Sequence, residues 1–143
     1  MKKLYLLLPI LFLIYWGCEE ENESCNSDCI IDIYSELPIN SDGVYELPWN
    51  ESLVTTYSHL YVETECGLHT RVQWDSDNQY QIEEGQWVSL INPSSMTDED
   101  GKGTIVYGVW EEFIGYTITF YGGYTDECDN HFVDSVKVKI IES

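Results

Sequence analysis

Three textures follow one another along the chain. Leu4 to Trp16 is apolar and broken only by Pro9, Glu19 to Asp28 is polar and acid-rich, and from Ile30 onward short apolar–polar alternations are separated by turn residues. Alternation with a period of two puts successive side chains on opposite faces, the pattern of a half-buried β-strand. Strands are predicted on this basis at residues 30–34, 44–47, 52–64, 69–75, 80–82, 86–91, 104–110, 115–121 and 133–141. Leu60 and Val62 fall on one face of the third, with Tyr57, His59 and Tyr61 on the other. Thr70, Val72 and Trp74 face one way in the next strand, and Tyr116, Ile118 and Phe120 share a face further on. In the last strand Val136, Val138 and Ile140 point inward, with Ser135, Lys137 and Lys139 outward. Turns are predicted at 38–43, 75–78, 92–95 and 98–103, where Pro, Gly, Asn, Asp and Ser cluster. No segment carries a helical period. About seven to nine short strands at this spacing predict an all-β fold, a sandwich of two antiparallel sheets.

The apolar run at the start does not belong to that fold. Met1-Lys2-Lys3 is a short positive segment, and the run behind it has roughly thirteen residues against about twenty for a bilayer-spanning helix. Residues 1–17 are therefore expected to be a signal peptide. The run ends at Tyr15-Trp16-Gly17-Cys18, which resembles a bacterial lipobox. The resemblance implies that Cys18 is acylated and anchors the chain to a membrane. The acidic stretch Glu19-Glu20-Glu21-Asn22-Glu23 resembles the surface-export signal of Bacteroidota lipoproteins, which implies an outer-membrane lipoprotein exposed at the cell surface. Residues 18–29 then form an acidic tether, extended because like charges repel, and residues 30–143 form one domain, long enough for one core.

Charge narrows the partners. The chain has 6 basic and 26 acidic residues. Lys2 and Lys3 leave with the signal, so four basic residues face 26 acidic ones and the mature charge is −22. Nucleic acid is excluded as a ligand, because its binding depends on neutralising phosphates with Lys and Arg. The remaining expectation is an unknown protein or glycan ligand. Abundant Tyr, Trp, Val and Ile argue for a folded domain despite the charge.

The C-terminal third carries a second resemblance. Gly115-Tyr116-Thr117-Ile118-Thr119-Phe120, a loop with Asp126 and Cys128, and Asp134-Ser135-Val136-Lys137-Val138-Lys139-Ile140 resemble the end of bacterial immunoglobulin-like and PKD-like domains. Trp74, on the strand after Cys66, resembles the buried tryptophan of the third sandwich strand. The resemblance implies an immunoglobulin-like sandwich of the kind used as spacer, adhesin or binding module, and no catalytic residues.

Four cysteines remain besides Cys18: Cys25, Cys29, Cys66 and Cys128. An even set in an exported chain is expected to form disulfides. Placed in the sandwich, Cys66 and Cys128 fall in loops at the same end. A Cys66–Cys128 bridge with a local Cys25–Cys29 bridge is the favoured pairing, and a crossed arrangement tying both N-terminal cysteines to the loops stays open. Cys66-Gly67-Leu68-His69 and Cys128-Asp129-Asn130-His131 are two C-x-x-H units. The alternative is therefore a small zinc protein with Cys66, His69, Cys128 and His131 as a tetrahedral set. No cofactor is otherwise expected, apart from a weak calcium site built from several acidic loops. Asp98-x-Asp100-Gly101 starts like a calcium loop but continues with Lys102 and Val109 where ligands should stand.

The chain has no G-x-S-x-G, no H-E-x-x-H and no glycine-rich phosphate loop. Glu83-Glu84 and Glu111-Glu112 are adjacent pairs whose side chains diverge on a strand. Catalysis is not expected. Trp87, Trp110, Tyr121 and Tyr124 are the candidates for a stacking surface, against the plainer reading that β-propensity places aromatics on strands. Together these expectations describe a non-enzymatic, lipid-anchored surface protein acting in binding, adhesion or envelope assembly, with a carbohydrate- or calcium-dependent binding module as the alternative.

Overall fold

The structure is a computed structural model and describes residues 28–66, 69–77, 89–90 and 92–143. Cys18, Cys25, Trp87 and the predicted strand at 80–82 lie outside the described residues. The strands are β1 (Ile31–Tyr34), β2 (Tyr45–Pro48), β3 (Thr56–Thr64), β4 (Arg71–Ser76), β5 (Ser89–Leu90), β6 (Ser94–Met96), β7 (Lys102–Val109), β8 (Thr117–Thr125) and β9 (His131–Ile141). A 3₁₀ turn, Glu111–Phe113, joins β7 to β8.

The strands form a four-stranded sheet, β1-β3-β7-β5, and a five-stranded sheet, β2-β9-β8-β4-β6. With β2 and β6 set aside, the remaining seven strands divide as the first, second, fifth and fourth on one sheet and the third, sixth and seventh on the other. That is the immunoglobulin-like arrangement. β2 and β6 extend the second sheet at its two edges. All pairings are antiparallel except β2 with β9, which run parallel. The parallel pair arises because the chain leaves the first sheet after β1, turns through 38–43 and joins the edge of the opposite sheet.

The alternations read from the sequence become the two inner faces. Ile33, Leu60, Val62, Ile105, Tyr107 and Val109 of the four-stranded sheet pack against Leu47, Val72, Trp74, Ile118, Phe120, Val136, Val138 and Ile140 of the other. The rings of Tyr107 and Phe120 meet across the middle with centroids 4.6 Å apart. Trp49 and Phe113, both outside the strands, are also buried in this core. Asp134 of β9 ties the sheets together at the β1 edge, where its Oδ2 accepts the Ile33 N–H at 2.7 Å. Tyr116 is displaced from its predicted face: Gly115 turns the chain with φ +88°, and Tyr116 is exposed before β8 begins.

Two expectations are corrected. The segment 92–95 was expected to be only a turn, but Ser94 and Ser95 begin β6, which pairs with β4. Ser-Ser-Met has no alternation to announce a strand. Contacts with β4 hold it there, including the Trp74 N–H to the Pro93 carbonyl at 2.8 Å and the Trp74 indole to Ser95 Oγ at 2.9 Å. The second correction concerns the cysteines. Cys66 bonds to Cys29, not to Cys128, with Cα atoms 4.5 Å apart. The cause is register. Ile31 pairs with Thr64, and the Glu65 N–H donates to the Ile30 carbonyl, so the next opposed positions are 29 and 66. A separation of about 4.5 Å is that of a non-hydrogen-bonded antiparallel pair. Cys128 is also disulfide-bonded, and the local Cys25–Cys29 bridge is excluded because Cys29 is held by Cys66.

Candidate binding face

The proposed zinc set does not assemble. The Cys66 sulfur is spent in the bridge, His69 Nδ1 lies 3.3 Å from the Thr97 carbonyl, and His131 Nδ1 lies 2.9 Å from Thr125 Oγ1. Among the described residues no group of three or more His, Cys, Asp or Glu side chains gathers to hold a metal ion. The acidic loop residues shape turns instead. Asp98 Oδ1 accepts the N–H groups of Asp100 and Lys102, each at 2.9 Å. Asp126 does the same for Cys128 and Asn130, and its Oδ2 takes the Asn130 side-chain amide at 2.9 Å. Donation by Asn130 is the main reason the Asp126 carboxyl titrates below its usual range.

The sequence-predicted stacking residues are dispersed. Trp110 is half-buried after β7, packs on Phe113 and borders a depression with Trp49, Leu53 and Glu111 at one end of the sandwich. Tyr121 stands on the outer face of the five-stranded sheet opposite Ser135. Tyr124, three residues along the same strand, lies on the other side of the sheet with its ring stacked on Phe132. These three do not form one surface.

A different set does. On β3 the inward residues Leu60 and Val62 force Tyr57, His59, Tyr61 and Glu63 outward, at alternate positions along one strand. The antiparallel register places Tyr34 of β1 directly beside Tyr61. Their rings stack with centroids 5.4 Å apart and planes 19° from parallel, and His59 continues the stack 6.3 Å from Tyr61. At the other end of the row Tyr57 lies over Gly108 of β7: a Cβ at Gly108 would meet the Tyr57 ring at 2.8 Å. Tyr57 therefore lies down across its neighbour strand and leaves 56% of its surface exposed.

Carboxylates rim this row. Tyr34 Oη donates to Glu63 Oε1 at 3.1 Å, and Tyr61 Oη donates to Glu36 Oε2 at 3.3 Å. Lys102 Nζ sits 3.4 Å from the same Glu63 oxygen. Partial burial and then the adjacent carboxylates raise both phenol pKa values, so Tyr34 and Tyr61 stay protonated donors at any physiological pH. Past Tyr61 the surface dips into a shallow groove of about 470 Å³ bordered by Ser94, Met96, Asp98, Lys102 and Thr104.

Tyr57, His59 and Tyr61 were legible as the outward set of one strand. Tyr34 and Gly108 were not, because they join the surface across strand pairings that no local pattern reveals. The chain matches no protein-family model and no curated protein sequence.

Proposed function

We propose that this chain is a non-enzymatic binding module held at the outer surface of a bacterial envelope by acyl chains on Cys18, and that it meets its ligand through the outer face of the four-stranded sheet. The observation that carries the reading is the stack of Tyr34, Tyr61 and His59, with Tyr57 at the next outward position of β3, partly exposed and bordered by Glu36 and Glu63. Aromatic rings with polar tips contribute large contact area at small conformational cost and dominate many binding surfaces. The N-terminal run and Gly17-Cys18 supply the anchor in this reading, and the acidic stretch after Cys18 supplies reach from the membrane. The role is one of adhesion or envelope assembly.

Two measurements test it. Cys18→Ser should move the protein out of the membrane fraction; full retention there would overturn the anchor. The purified full chain, screened on immobilised peptides and glycans, should show binding that Tyr61→Ala abolishes and Tyr121→Ala, on the opposite sheet, preserves. The reverse pattern would overturn the face, and hydrolase or transferase turnover would overturn the binding-module reading.

A further inference from the structure

Resting on that binding face, we propose that its ligand is an extended polypeptide segment bearing Arg or Lys at alternate positions, which runs along the Tyr57–His59–Tyr61 row with its cationic side chains on the exposed Tyr57 ring and against Glu36 and Glu63. Three features lead there. The first is charge. Asp32 and Glu63 stand opposite each other on this sheet and Glu36, exposed just after β1, reaches Tyr61, in a chain of 26 acidic residues. Of the four basic residues after Cys18, Arg71, Lys137 and Lys139 alternate with buried residues on β4 and β9, and so point outward from the other sheet. The acidic aromatic face thus keeps its negative potential except at Lys102, and such a potential attracts cations and repels phosphates and acidic peptides.

The second feature is chemistry. A guanidinium or ammonium group is held both by the face of a tyrosine ring and by a carboxylate. The Tyr57 ring leans over Gly108, where no side chain blocks it, and leaves 56% of the residue exposed to an incoming cation. Tyr34 and Tyr61 hold Glu63 and Glu36 beside the rings through their hydroxyl groups. Lys102 already places an ammonium group at Glu63, so the chain itself shows a cation seated on this rim.

The third is spacing. Tyr57, His59 and Tyr61 are alternate residues of a strand, so their repeat is about 7 Å. An extended ligand repeats its same-side residues at the same interval, and alternate cations would stay in step with the row. A block of consecutive cations would not, since half of its side chains would point away.

The test uses the full chain purified in detergent and two fluorescent peptides of equal length and charge, one alternating Arg with Thr and one carrying the Arg residues as a block. The alternating peptide should bind about tenfold more tightly than the block peptide, and binding should weaken with salt. Tyr57→Ala and the Glu36→Gln/Glu63→Gln pair should each remove that preference, while Tyr121→Ala should leave it intact. Circular dichroism and melting of each variant would confirm that the domain remains folded. Equal binding of the two peptides, or binding indifferent to both sets of variants, would overturn the proposal as mere attraction to an acidic protein. Glycan binding that Tyr57→Ala abolishes, with no peptide preference, would overturn the peptide assignment and leave the binding face standing. If every ligand were lost only by substitutions on the other sheet, face and ligand would fall together.

Discussion

Tyr107 is fully buried between the sheets, and among the described residues its hydroxyl has no hydrogen-bond partner. Burial pushes its pKa up to about 12, against a smaller opposing pull from the neighbouring Ser58 hydroxyl. The unfolded chain releases this proton near the ordinary value of 10.0 and the folded chain holds it to about 12. Stability from this group is therefore complete below pH 10 and is lost as the pH rises through 12, by about 3 kcal/mol at most. Tyr107→Phe removes both the unmet hydroxyl and the titration. It should leave stability at pH 7 equal or higher, by about 1 kcal/mol, and flatten the decline between pH 10 and 12, as read from urea unfolding at a series of pH values. Asp134 is the opposite kind of polar residue, since its carboxylate satisfies the Ile33 N–H at the edge of β1. Asp134→Ala should cost about 1.5–3 kcal/mol, the value of a hydrogen bond to a charged group, in the same urea assay. In the sequence Asp134 stands near the start of the last strand, within the stretch that resembles the end of immunoglobulin-like domains. Its role depends on a residue 101 positions away, beyond the reach of any local pattern.

Among the elements, the long strands and the short β1, β2 and β5 were legible, and β6 was not. β3, β4, β7, β8 and β9 carry clear alternation, and their buried positions follow it. β6 has three polar or flexible residues and exists because β4 offers it backbone partners. The disulfide makes the same point. The sequence marked Cys29 and Cys66 as bridge formers, but their pairing follows from the register of β1 on β3, which sets 29 opposite 66. The bridge closes a loop with a sequence separation of 37. On the chain-entropy model its removal should cost about 4 kcal/mol. The Cys29→Ser/Cys66→Ser variant should show that loss in urea unfolding, with the effect concentrated at β1, where amide exchange should accelerate beyond that of β9.

For the whole molecule, charge and architecture act together. A net charge of −20 for the chain, with its few cations gathered mainly on one sheet, means that the folded domain repels itself. Its melting temperature should rise as ionic strength increases from about 10 mM to 150 mM, over which the Debye length shrinks from about 30 to 8 Å. A flat or falling response in a neutral salt would show that self-repulsion does not limit stability. The same architecture explains what was foreseeable. The all-β character, the inward and outward faces of the long strands, and the residues that face solvent from β3 could be read along the chain, because these depend on a local period of two. The order of strands in the sheets, the pairing of Cys29 with Cys66 and the placing of Tyr34, Tyr61, His59 and Tyr57 on one face came from the folded chain, which scattered Trp110, Tyr121 and Tyr124. Those outcomes rest on which strands lie side by side and in what register. That is a property of distant segments chosen together by the packing of a shared core, and no single segment records it.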